Sequence, residues 1–249
     1  MNRWIVTLSA CAVVGAAALV GRHAARSQPP AALAVAQPPS VPRVRARDIA
    51  ILVDRSRSVE DGKGSACRQL VSAYTHAVKM PGVSDQSRVQ AFLTGDGQGD
   101  LMPALGDPLR VPLLEGGEFV EKDRILLDTA TREVAAACLA AMAGKDVTPV
   151  YASLKAVVQQ MKHDWGCGAA RECSLLVVGD LQDTAEKGLS RVLAGKKGDL
   201  PPAVDTGGIE VRACGYGQTN VKMPDDRVKR TLDTWSQLVP GIVIVPSCA

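Results

Sequence analysis

Three residues at alternate positions, Asp54, Ser56 and Ser58, follow directly on the apolar run Ile49-Ala50-Ile51-Leu52-Val53. A run of that length, bounded by polar residues, reads as a buried strand. One carboxylate and two hydroxyls just beyond it crowd oxygen atoms where α/β sheets bind their ligands, past the carboxyl ends of the strands. Oxygen ligands without nitrogen or sulfur suit a hard divalent cation, most simply Mg²⁺, with Mn²⁺ or Ca²⁺ as alternatives. A second reading stands beside this one. Ser58 and Asp61 form S-x-x-D, a helix-capping signature, and Asp54 could serve only to satisfy loop amides.

The elements that would position these oxygens alternate regularly. A helix is predicted over about 60–80, with Cys67, Val71, Tyr74 and Val78 on one face and Pro81-Gly82 stopping it. Residues 87–93 alternate Val89, Ala91 and Leu93 against Arg88, Gln90 and Phe92 and read as a strand. The Gly95–Asp100 segment lacks both EF-hand and dinucleotide-loop spacing and reads as a turn. One short strand is expected within 109–120, as an antiparallel neighbour of the second strand. Helices follow over 125–143, with Leu127, Ala130, Val134, Cys138 and Met142 inward, and from Thr148-Pro149 to about Lys162. A second buried run, 174–178, again ends in a carboxylate, Gly179-Asp180. Helix 185–193, strand 209–214, helix 225–238 (Val228, Leu232 and Trp235 inward) and strand 242–245 complete the pattern. Alternation of this kind implies an α/β fold: a doubly wound, mostly parallel sheet with one antiparallel edge strand and helices on both faces.

The chain has 249 residues, 46% of them hydrophobic, and only 3% aromatic, so its core must be built from Ala, Val and Leu. Its net charge of +3 comes from Arg3, Arg22 and Arg26; the remainder carries 26 basic against 26 acidic residues, which excludes the electrostatic footprint of a nucleic-acid binder. Residues 1–27 read as a signal peptide or an uncleaved membrane anchor, because Trp4 to Val20 is uncharged and mainly apolar. A Pro-rich linker, 28–46, separates this segment from a domain over 47–249. The chain is thus expected to be exported, and periplasmic or held at the inner membrane; the membrane enters only through the first segment.

Six cysteines lie beyond the leader, an even number that suits disulfides in an exported chain. Cys167 and Cys173 bracket a short loop and form the easiest bridge. Cys214 and Cys248 would tie down the tail. Cys67 and Cys138 fall on the apolar faces of two helices, where a bridge and two free buried thiols are equally open. Tetrahedral zinc spacing is absent.

Taken together, Asp54-Arg55-Ser56-Arg57-Ser58, Thr148 in T-P-V-Y-A-S-L and Asp180 after a later strand resemble the von Willebrand factor type A domain. Its metal-ion-dependent adhesion site combines D-x-S-x-S, a loop Thr and an Asp after the fourth strand. The resemblance, which follows the element order over about 47–246, implies that Ser56 and Ser58 bind an ion through their hydroxyls. Thr148 would bind it directly or through water, and Asp54 and Asp180 would hold the ion or its waters. It further implies that an open position accepts a carboxylate from a protein partner. Two departures stand out: Gly179-Asp180-Leu181 replaces the usual T-D-G or S-D-G, leaving Asp183 as a fallback ligand, and the Thr loop lacks glycines directly before Thr148. Arg55 and Arg57 would rim the mouth and favour an acidic partner, or simply face solvent. The expected function is a metal-dependent protein-binding module of the bacterial cell envelope. The alternatives are a metal-free scaffold of the same fold and, third, a metal-assisted hydrolase. Only His76 and His163 lie beyond the leader, and no G-x-S-x-G or phosphate loop occurs, so the expectation is no enzyme.

Overall fold

A computed structural model describes residues 46–55, 65–84, 86–95, 105–110, 114–115, 118–119, 121–141, 147–168, 171–215 and 223–246. All belong to Arg43–Ala249, the second of the two units into which the chain divides. Residues 1–45, the amino-terminal segment and all but the last residue of the linker, lie outside the described residues. Among the described residues, no helix is long and apolar enough to cross a membrane.

The strand expected from Ile49 to Val53 is β1, Arg47–Val53, and Ile49 through Val53 are all 0% exposed. A strand with both faces covered needs apolar residues along its length, and Ile49 to Val53 supply them after the charged Arg47 and Asp48 at its amino end. β2, Arg88–Leu93, and β6, Glu172–Val178, flank it on either side, both parallel, with Val53 opposite Leu93 and Val178. β7, Glu210–Cys214, and β8, Val243–Val245, extend the parallel sheet beyond β6. Helix α1, Ser65–Ala77, and α2, Glu121–Ala141, cover the face formed by Ile49, Ile51, Val53, Leu176 and Val178. Helices α3 (Val150–Asp164), α4 (Lys187–Leu193) and α5 (Asp225–Leu238) cover the opposite face, against Ala50, Leu52, Leu175 and Val177. The doubly wound α/β expectation therefore holds.

Two elements differ from their sequence reading. The strand expected within 109–120 lies earlier, at β3, Leu105–Arg110, which pairs antiparallel with β2 across a register shift. Asp107 and Pro108 disguise it. Proline cannot donate to a ladder and is tolerated only at an edge, which is where β3 sits. Part of the expected segment forms instead a small hairpin, β4 (Leu114–Glu115) with β5 (Glu118–Phe119). On α5 the buried stripe is Thr231, Thr234, Trp235 and Leu238, while Val228 and Leu232 are half-buried. Thr231 can face inward because its hydroxyl donates to the Arg227 carbonyl at 2.9 Å and accepts from Gln182 Nε2 at 3.1 Å.

Cysteine pairing is now specific. Cys67 on α1 is bridged to Cys138 on α2, and Cys167 to Cys173, so the bridge rather than the free-thiol alternative describes the first pair. Cys214 is also disulfide-bonded; Cys248, its expected mate, lies outside the described residues.

At the amino end of β1, Asp48 is 0% exposed. Its Oδ1 accepts the Arg88 amide at 2.8 Å, and Arg171 Nε stands 2.9 Å from its Oδ2. That last contact is an ion pair rather than an aligned hydrogen bond, since neither atom finds a hydrogen-bonding partner. Burial pushes the Asp48 carboxyl above its ordinary 3.8, against the lowering pull of the Arg88 amide and Arg171. A carboxyl raised on folding binds its proton more tightly in the folded chain. Its stabilising contribution is complete below 3.8 and is lost as pH climbs through the raised value. Asn at this position does not titrate. The stability difference between wild type and Asp48→Asn, measured by urea unfolding, should move in the variant's favour from about pH 4 to about pH 7. A pH-independent difference would show that this carboxyl does not titrate differently on folding.

Candidate metal centre

The order of the sheet marks one place for a site. From β1 the chain winds outward through β2 and β3, then returns to β6 on the other side of β1 and continues to β7 and β8. The gap between the carboxyl ends of β1 and β6 is the topological switch point, where open α/β sheets bind ligands. Asp54 and Asp180 lie just past those two ends, 1% and 2% exposed.

Backbone hydrogen bonds carry the ladder one step beyond the strands. The Asp54 amide donates to the Val178 carbonyl at 2.8 Å, the Gly179 amide to Cys214 at 3.0 Å, and the Thr94 amide to Val53 at 2.9 Å. Gly179 is a glycine for a local reason: a Cβ there would stand 2.4 Å from the Asp54 Cβ and 3.0 Å from its Oδ2. The Asp54 side chain thus lies directly over the β6 backbone, one residue before Asp180. Asp180 Oδ1 accepts the Gln182 amide at 2.9 Å, which turns the chain sharply after the strand.

Thr148, 2% exposed, is joined to the same loop. Its amide donates to Thr184 Oγ1 at 2.8 Å, and its carbonyl accepts the Thr184 amide at 3.1 Å. The Thr-Pro start of α3 works differently from the sequence reading. Helix α3 begins at Val150 behind Pro149 with no side-chain cap from its own segment. The cap arrives from the β6–α4 loop: Asp183 Oδ2 accepts the Tyr151 amide at 2.7 Å, while Oδ1 takes the Ala185 and Glu186 amides at 3.0 and 2.9 Å. Burial raises the Asp183 carboxyl above its ordinary 3.8 even against those three donors. Both its oxygens are committed to backbone, so the fallback ligand is a loop clasp instead.

Of the five sequence-proposed oxygen donors, Asp54 and Asp180 therefore lie buried at the switch point, and Thr148 lies buried on a loop hydrogen-bonded to Thr184, four residues past Asp180. Ser56 and Ser58, with Arg57, lie outside the described residues. Arg55, expected at a rim or in solvent, is 3% exposed, and its amide donates to Thr94 Oγ1 at 3.2 Å. Among the described residues no group of three or more His, Cys, Asp and Glu converges. An ion held here would rely on two carboxylates, hydroxyls and water, a donor set that suits a hard cation.

No family profile and no curated protein matches the chain. Solved structures do. The SpaC pilus adhesin of Lactobacillus rhamnosus GG is 11% identical with a TM-score of 0.48, covering 83% of this chain and 28% of that protein. Proximal thread matrix protein 1 of the mussel byssus is 11% identical at a TM-score of 0.46, covering 82% and 44%. A von Willebrand factor type A protein from Catenulispora acidiphila is 13% identical at 0.38, covering 82% and 39%. The chain thus spans less than half the length of each of these proteins.

Gln69, on α1, did not stand out in the sequence. It is 7% exposed, and its Oε1 lies over Gly215, where a Cβ would meet it at 2.4 Å. A glutamine within an amphipathic helix carries no sequence signal of such a position.

Proposed function

We propose that this chain is a protein-binding module acting outside the cytoplasm, and that it engages its partner through a divalent cation, Mg²⁺ or else Mn²⁺ or Ca²⁺. In this reading Asp54, Asp180 and Thr148, with Ser56 and Ser58, hold the ion and its waters. The observation that carries the reading is the pair of buried carboxylates at the abutting ends of β1 and β6, with Gly179 bare so that Asp54 can lie over it. A divalent cation suits two carboxylates buried at one switch point. A cation bound there supplies an electrophilic centre with an open position for a carboxylate from the partner. The disulfides support an oxidising compartment, in keeping with a periplasmic protein, free or held to the inner membrane by its apolar amino-terminal run.

Binding rather than catalysis is favoured by where the histidines are. His76 on α1 and His163 near the end of α3 are both exposed. α3 runs back from the strand ends, so His163 lies beside the Cys167–Cys173 loop, far along the helix from the Asp183 clasp.

Calorimetric titration of Mg²⁺ and Mn²⁺ into the chain tests the reading. Wild type should bind one ion and gain about 2.7 kcal/mol of stability at an ion concentration 100 times Kd. Asp54→Ala and Asp180→Ala should abolish both the heat and the gain. Equal behaviour of all three proteins with the ion would leave the metal-free scaffold as the better description. Affinity capture of envelope proteins with Mg²⁺, but not with EDTA, would link the ion to a partner.

A further inference from the structure

The Gln69 Oε1 is buried and has no hydrogen-bond donor among the described residues. An amide oxygen in that state is destabilising unless something reaches it. It lies over Gly215, whose φ of +95 and lack of a side chain leave the space: a Cβ there would stand 2.4 Å from Oε1 and 3.5 Å from the Gly179 amide nitrogen. β6 and β7 thus end side by side in bare glycines, and each glycine is covered by a polar side chain. Asp54 lies over Gly179, and Gln69 lies over Gly215. The unpartnered oxygen belongs to the same crevice as Asp54, one strand further along.

An amide oxygen only accepts, so what completes it is an O–H or N–H donor or a cation. Distance chooses between these. Neighbouring strands are about 4.8 Å apart, whereas a Mg–O bond is about 2.1 Å. Gln69 stands over the β7 end, one strand beyond the β6 end that Asp54 covers, so an ion held by Asp54 and Asp180 would meet it through a bound water. We propose that Gln69 is a positioning residue of the ion site: its Oε1 accepts a hydrogen bond from a water carried by the ion and fixes that water toward the β6–β7 side. This inference rests on the ion-binding reading above.

Mn²⁺ alone serves as the probe, titrated into the full chain by calorimetry, with water-proton relaxation reporting the ion-bound waters. Gln69→Leu should weaken Mn²⁺ binding by about 10-fold or more, the usual effect of losing an outer-shell partner, and should change the relaxation enhancement per bound ion. In EDTA the same variant should melt no lower than wild type, because it removes an unsatisfied oxygen. Gln69→Glu keeps an acceptor in place and should bind at least as tightly as wild type. If Gln69→Leu binds Mn²⁺ like wild type while Asp54→Ala binds none, the role given to Gln69 is overturned and the ion site stands. If wild type takes up no more Mn²⁺ than Asp54→Ala, both readings are overturned. Should Gln69→Leu not fold, Gln69→Glu decides: binding weaker than wild type overturns the role, and equal or tighter binding upholds it.

Discussion

Replacing Cys67 and Cys138 together by alanine should destabilise the fold by about 4 kcal/mol, whereas the same change at Cys167 and Cys173 should cost about 2 kcal/mol. The difference follows from chain length. The first bridge closes a loop across 71 residues, the second across 6. A longer closed loop removes more entropy from the unfolded chain. The packing of α2 sharpens the expectation. Among its described side chains, residues 124–140, the buried apolar ones are Leu127, Val134 and Cys138, while Ile125, Leu126 and Leu139 are more than half exposed. With so few buried apolar side chains, α2 is expected to depend on its covalent tie to α1. Urea unfolding of the two double variants measures both costs, and limited proteolysis should cut within α2 first when the Cys67–Cys138 bridge is absent. A loss below about 1 kcal/mol for that pair, against a typical 2–4 kcal/mol, would mean that packing alone seats the helix.

What the sequence made legible is what local pattern controls. A run of five apolar residues ending in a carboxylate could be placed, with its strand end, because every residue from Ile49 to Val53 is buried on one face of the sheet or the other. Asp180 followed by the same logic. The misses are contacts between distant segments. Nothing local says that Asp183 reaches across to cap α3, and a Thr-Pro pair before a helix suggests a self-contained start. The α5 stripe was turned because a threonine with two hydrogen bonds can be buried as readily as a valine. The burial of Arg55 beside Thr94 and the placement of Gln69 over Gly215 both depend on contacts between distant segments, which no spacing rule encodes.

The departure at residue 181 leads to the last expectation. Where the resemblance leads one to expect glycine after the aspartate, this chain has Leu181, and its backbone stands at φ +60, the left-handed conformation that glycine adopts freely. A residue with a side chain gives up roughly 1–2 kcal/mol to stand there. Two contacts hold it. Leu181 is 0% exposed in the core beneath α5, and its carbonyl accepts the Trp235 indole N–H at 2.8 Å. The turn that sets Asp180 is therefore fixed by packing and a buried hydrogen bond instead of by glycine's freedom. Leu181→Ala keeps the strained conformation and empties the core, so it should cost about 2–5 kcal/mol. Leu181→Gly empties the same space but relieves the strain. It should be the more stable of the two by about 1 kcal/mol, reversing the usual order in which glycine is the worse substitute. Urea unfolding of both variants measures the order. Mn²⁺ titration of Leu181→Gly should give an affinity within about threefold of wild type, since only a shift near 1.4 kcal/mol would amount to tenfold. Alanine more stable than glycine would mean that the backbone leaves φ +60 once the leucine is gone. The geometry of Asp180 would then depend on this side chain and on Trp235 above it.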